Sequence, residues 1–246
     1  MHTKQTNLMA IVLTTAGFLA SGAANAACND ISYNALSSAA NNVRAAGNTG
    51  GFGLNMWVTF VDETGKVCEV TTTGDKGALA SRSEWLGSRV ISAQKANTSN
   101  AFSLNGVSIS TGALYAAVQP GGSLFGLQES NPVDAQAAYS GNPSFYGTNR
   151  DPLRGKRVGG VNVFGGGLAV YKGGVKVGAI GVSGNTSCTD HAFAWKVREA
   201  LGLDTTSPKN FELLDLDTQF LALGDHPVCT ANDDAIDNAN FGFTSL

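Results

Sequence analysis

The stretch from Arg157 to Leu203, RVGGVNVFGGGLAVYKGGVKVGAIGVSGNTSCTDHAFAWKVREALGL, constrains the fold more than any other part of the chain. Short apolar runs alternate with glycines, and then the period changes. Val161 to Val163, Leu168 to Tyr171 and Val175 to Val182 read as three β-strands. After a glycine-rich turn, Phe193, Val197 and Ala200/Leu201 recur at helical spacing. Ser187 and Asp190 form a Ser-x-x-Asp capping box, and Gly202 is placed as the C-cap. This order of strands, hairpin and helix permits an α+β (layered α/β) domain in which helices cover a sheet.

Upstream, residues 31 to 46 place Ile31, Ala35/Leu36, Ala39 and Val43 on one stripe, as an amphipathic helix does. Gly47 to Gly53 breaks that helix. LNMWVTFV from Leu54 is a β-branched and aromatic strand that turns at Asp62-Glu-Thr-Gly65 and returns from Val67 to Thr71. A helix is expected from Ser83, as N-cap, to about Ala101, with Trp85, Val90, Ala93 and Ala96/Asn97 marking a mixed face. Another short one is expected from Ser110 to Ala117. Gln119 to Asp151 is long and rich in turns, a kind of segment that usually serves binding or assembly. Beyond a domain of residues 27–203, residues 204–246 read as a C-terminal extension laid back over it.

Residues 1–26 carry Lys4, an apolar run from Leu8 to Leu19 and the small-residue site Ala24-Asn25-Ala26, which together read as a cleaved signal peptide too short to span a membrane. A periplasmic or secreted protein is expected. All four cysteines lie after that site, and an even count in an oxidising compartment favours two disulfides, for which three pairings exist. Cys28 with Cys68 and Cys188 with Cys229 are expected, since each bridge pins a terminal segment to the domain body. A net charge of -3, with no basic cluster larger than Arg154-Gly-Lys156-Arg157, excludes a nucleic-acid partner.

GGLAVYKGGVKVGAIGVSGNTSCTDHAFAW resembles the closing segment of the GlcG/HbpS family of haem-binding-type domains, in which a Gly-Gly strand, a short hairpin, a GxxGVSG turn and an acidic helix start follow one another. MWVTFVDETGKVC, SRVISAQKANTSNAFS and STGALYAAVQPGGSLFGLQESNP extend the resemblance upstream, with Lys95-Ala96 in place of the family's KA element. The resemblance implies an antiparallel sheet of about five strands flanked by helices, and a homo-oligomer. It also implies haem, a tetrapyrrole, as ligand, for storage, delivery or sensing. Part of the family has Cys-x-x-His after GVSG, a pattern that Cys188 and His191 match, so the resemblance implies His191 as the iron ligand.

His2 leaves with the signal peptide, so a histidine ligand in the mature chain is His191 or His226. A Cys188–Cys229 bridge brings both histidines into one neighbourhood. The same C-x-x-H and H-x-x-C residues also make a Cys2His2 zinc set, although export favours the disulfide. His226 reads as a supporting or surface residue. Trp195, one turn after His191, is expected to face the same pocket. Gly184, Asn185, Thr186 and Ser187 open a helix whose N–H groups and dipole suit a propionate or carboxylate, and Arg157 in its basic loop is a further propionate partner. The plainer readings are local hydrogen bonding for His191, an ordinary strand-to-helix turn and a solvated loop. Gly178, Gly181 and Gly184 lack the dinucleotide spacing, and Ser183 is not in a nucleophile elbow. No residue set argues for an enzyme. The expectation is an exported haem-binding protein; the alternatives are a non-haem domain binding a small carboxylate metabolite and an oligomeric partner protein without a small ligand.

Overall fold

The computed structural model describes residues 28–203, 209–216, 223–229 and 243–244; the signal peptide expected over residues 1–26 lies outside them. The order is α1 (Tyr33–Ala46), β1 (Trp57–Asp62), β2 (Val67–Thr72), α2 (Ala80–Ser83), α3 (Leu86–Phe102), β3 (Val107–Ile109), α4 (Ala135–Tyr139), β4 (Gly167–Lys172), β5 (Val175–Ser183), α5 (Ser187–Ala200), β6 (Lys209–Phe211), β7 (Leu214–Asp215) and β8 (Phe243–Thr244). The central sheet runs β2-β1-β5-β4, with every pair antiparallel.

Side-chain alternation sorts the sheet into two buried faces. Val58, Phe60, Leu168, Val170, Ile180 and Val182 pack with α1 and α5. Trp57, Val61 and Ala179 pack with Val90, Ala93 and Ala96 of α3. The layers are therefore two helices, a four-stranded sheet and one helix.

The central sheet has four strands rather than the expected five because Val161 to Val163 finds no strand partner. Its backbone is held by side chains of α3: Thr98 Oγ1 accepts from Asn162 N–H at 3.0 Å, and Asn97 Nδ2 donates to Gly160 O at 3.0 Å. Within the sheet, Gly167 stands opposite Gly181. A Cβ at 181 would overlap the Ser92 carbonyl and the Ala96 amide, and one at 167 would overlap the Lys95 carbonyl. The glycine pair thus lets the backbone of α3 settle onto the strands, while Ser92 Oγ meets Thr59 Oγ1 at 2.7 Å.

Ser32 caps α1 by accepting from Ala35 N–H, and Gly47 ends it in the left-handed region at φ 67°. Leu36, Ala39, Ala40 and Val43 are buried; Ala35 is exposed. Ser83 does not cap α3. It closes α2, with its hydroxyl on Leu79 O, and an extended Trp85, 65% exposed, precedes α3. Val90, Ala93 and Ala96 of α3 are buried as expected, but the helix is buried nearly all round, with Arg89, Ser92, Lys95, Thr98 and Ser99 also inside. Ser110 to Ala117 forms 3-10 turns, at Gly112–Leu114 and Ala116–Val118.

The long segment before β4 is fastened by one buried pair. Arg89 holds Asp151 through one guanidinium edge, its Nε donating to Oδ2 at 3.0 Å and its Nη2 to Oδ1, and stacks over Tyr146. The described parts of the tail dock by β6 pairing in parallel with β3 and by Arg198 Nη1 donating to Glu212 Oε1 at 2.7 Å. No helix among the described residues is long and apolar enough to cross a membrane.

Candidate functional site

β5 passes into α5 through Gly184, where a Cβ would overlap the Asn55 carbonyl. Thr186, one residue before the expected cap, caps the helix by accepting from Thr189 N–H at 3.1 Å. Gly202 ends it as expected: Leu203 N–H reaches Arg198 O and Gly202 N–H reaches Glu199 O, a Schellman closure.

Asp190 folds back over this start. Its Oδ1 accepts from Asn185 N–H at 2.9 Å, and its Oδ2 from Lys95 Nζ at 2.8 Å, which also donates to Val182 O at 3.0 Å. The helix start therefore receives its anion from the chain itself. Two further donors are engaged, Thr186 N–H by Asn185 Oδ1 and Cys188 N–H by Cys229 Sγ. Asn185 Oδ1 also accepts from Phe52 N–H at 3.1 Å. At Gly184, Asn185, Thr186 and Ser187, the expected site of a propionate or carboxylate, the Asp190 carboxylate already takes the Asn185 N–H. Burial pushes Asp190 up to about 6 and lowers Lys95, while each charge opposes the other's shift.

Both expected disulfides are present, Cys28–Cys68 and Cys188–Cys229, the second with Cα atoms 6.1 Å apart. His226 lies against the second, wholly buried rather than at the surface. Its Nδ1 is 2.8 Å from Pro227 O and its Nε2 3.1 Å from Ser187 Oγ. That pattern fits a neutral ring with the proton on Nδ1 and the serine hydroxyl donating to Nε2. Tyr115 packs on it, ring centroids 5.2 Å apart.

Burial holds His226 down at about 4. Unfolded, the ring takes its proton near 6.5, so between these values the unfolded chain binds the extra proton. The contribution is thus present above pH 6.5 and is lost as pH falls to about 4, at roughly 3 kcal/mol for the full window. In the disulfide-bonded chain, His226→Gln is expected to flatten the stability profile by that amount between pH 7 and pH 4, read by urea unfolding. A profile parallel to wild type would contradict it.

His191 is fully enclosed. The Gly165 backbone lies against it, so that a Cβ at 165 would stand 3.0 Å from the His191 Cβ. Trp195 is adjacent, with centroids 6.1 Å apart and planes at 43°, and is half-buried, its Nε1 donating to Glu199 and Arg198 over its ring. Leu214 of the tail packs with Cys188 and Ala192, which flank His191 on α5.

Arg157 does not join this group. It donates to Thr64 O at 3.0 Å and Thr64 Oγ1 at 2.7 Å, in the turn beyond Asp62. Trp57, at the other end of β1, pairs with Ser183. The length of β1, about 17 Å at about 3.3 Å per residue, separates Arg157 from the helix start. Sequence reasoning missed Lys95 as the partner of Asp190. The available signal was a lysine set among the small residues Ser92, Ala93, Ala96 and Ser99. Two clefts flank the helix start, of about 150 Å³ against Asn55, Glu84, Trp85 and Gly184, and about 40 Å³ against Arg44, Asn185 and Phe193. Neither histidine lines them.

A family model described as haem degrading protein, HbpS-like, matches residues 31–199. No curated protein matches significantly. Among solved structures, the chain is similar to a PduOC:heme complex (24% identity over 70% of this chain and 93% of that one, TM-score 0.48). It is also similar to Klebsiella pneumoniae protein ORFY (23%, 70% and 90%, TM-score 0.46) and to a double mutant of Streptomyces reticuli HbpS (16%, 79% and 99%, TM-score 0.47).

Proposed function

The chain belongs to the HbpS-like haem degrading protein family, and on that premise we propose that it is an exported haem-binding protein serving storage, delivery or sensing. The observation that carries this reading is the family match, which spans α1 to all but the last residue of α5. Two disulfides agree with an oxidising compartment, and with export through the segment 1–26. Self-association is part of the reading, supported by large apolar side chains left at the surface, among them Trp85, Leu104 and Phe125.

A histidine axial ligand must present a ring nitrogen to the iron. His191 and His226 are both fully enclosed, and His226 already has partners at both nitrogens. In this arrangement neither imidazole fits as an iron ligand, and no ligation step is derived. The proposal concerns association, with His191 and Trp195 as the residues to test.

Haem titration of the disulfide-bonded chain, followed at the Soret band, is expected to give a saturable one-to-one response. A drifting, non-saturating response would overturn the haem reading. The His191→Ala variant places the macrocycle: a tenfold or larger loss of affinity puts it against α5 with the tail moved aside. An unchanged curve puts it on another surface, such as the open groove between α1 and α5 at Val43, Ala46, Lys196 and Ala200.

A further inference from the structure

Ligand atoms of Cys188, His226 and Cys229 all lie within 4.8 Å of one another, at the point where the tail docks on α5. Cys188 Sγ is 4.0 Å from His226 Nδ1, and both residues are fully buried, with Cys229 partly so. We propose that reduction of the Cys188–Cys229 disulfide converts these three residues into a binding site for one divalent cation of the zinc class. Two thiolates and an imidazole match the borderline-soft character of that ion. Tetrahedral coordination with Zn–S of about 2.3 Å and Zn–N of about 2.0 Å separates the ligand atoms by about 3.5–3.8 Å. The sulfur-to-imidazole distance is already close to that, and release of the S–S bond lets the sulfurs part to reach it. Three protein ligands leave a fourth corner for water or a small anion.

The chemistry balances with a dithiol as the reductant. The dithiol gives two electrons and two protons, the S–S bond breaks to two thiols, and the reductant closes its own disulfide. The cation then displaces both thiol protons. For Nδ1 to bind, the neutral ring moves its proton from Nδ1 to Nε2, where Ser187 Oγ, 3.1 Å away, accepts it and fixes the ring, and Nδ1 gives up its 2.8 Å contact with Pro227 O as the ring turns to the cation. The same residues thus tether the tail in two ways, by a covalent bond when oxidised and by a metal when reduced.

The test uses the full chain and Co²⁺, after reduction with a dithiol that is removed by gel filtration under argon. The reduced chain is expected to take up one Co²⁺, with thiolate-to-cobalt charge transfer in the near ultraviolet and tetrahedral bands in the visible, both displaced by Zn²⁺. The unreduced chain is expected to show neither. His226→Gln should weaken Co²⁺ binding at least tenfold, Ser187→Ala several-fold, and Cys188→Ser should lower the charge-transfer intensity by about half. Cys28, Asp62 and Cys68 converge similarly and serve as the internal control. A spectrum unchanged in both His226→Gln and Cys188→Ser would place the cobalt there and overturn the proposal. So would a reduced chain that binds no Co²⁺, or one whose helical circular dichroism is lost on reduction.

Discussion

Lys95→Ala is expected to destabilise the fold by about 3–5 kcal/mol at pH 8, because it leaves Asp190 buried without its counter-charge. Lys95 Nζ is the cation at that carboxylate, 2.8 Å away, and both side chains are almost wholly removed from solvent. The backbone N–H groups of Asn185 and Gly184 remain at the carboxylate, but backbone hydrogen bonds do not replace a full charge. The sign of the pH effect follows from Asp190, which already stands at about 6. Removing Lys95 takes away an influence that lowers this value, so the carboxyl rises further and is neutral in the folded variant at pH 5. The deficit should therefore be smaller at pH 5 than at pH 8. The double variant Lys95→Met/Asp190→Asn, which removes both charges, should recover much of the loss. Urea unfolding at the two pH values reads all three quantities. A loss below about 1 kcal/mol, or one equal at both pH values, would show that the pair does not hold the helix start as described.

Gly181→Ala should cost about 3 kcal/mol or more, at the upper end for overpacking. Gly181 does not lie in the left-handed region, so the cost comes from space and not from torsion. Its missing Cβ is where the Ser92 carbonyl and the Ala96 amide sit, and backbone atoms inside a helix cannot swing aside as a side-chain tip does. The matched control is Gly87→Ala, at an exposed position of α3 with nothing within 4 Å of the added carbon. There the gain in helix propensity should stabilise the chain by up to about 1 kcal/mol. Thermal midpoints that move in opposite directions are the expected result. A Gly181→Ala protein within about 1 kcal/mol of wild type would mean that α3 does not rest on the sheet at this point.

The two glycine effects also show what can be read from a linear chain. That Gly167 and Gly181 belong to neighbouring strands follows from the hairpin pattern. That they stand opposite one another, beneath one helix, does not. In the same way, the apolar and β-branched runs of β1, β2, β4 and β5 are legible, but Val161 to Val163 has a similar composition and forms no strand. The Asn162 N–H is taken by Thr98 of α3, and the Gly160 carbonyl just before the segment by Asn97. The face of α3 was obscured for a related reason. Arg89, Ser92 and Lys95 are polar residues that the fold buries and satisfies, so hydropathy marks them as outside when they are inside.

The candidate site divides along the same line. Residue order by itself determined the local features: the hairpin, the turn at Gly184, a helix closed by Gly202, an even set of cysteines and the family resemblance. These depend on short-range sterics, side-chain period and hydrogen bonds between near neighbours, which a sequence displays directly. Only the tertiary structure decided that Asp190 supplies the helix-start charge, that His191 and His226 are enclosed, and that Arg157 stands a strand's length away at Thr64. A carboxylate, an imidazole or a guanidinium accepts many partners of equal chemistry. Which one it meets is set by the packing of segments distant in the chain, such as Lys95 and Asp190, and not by the residues beside it.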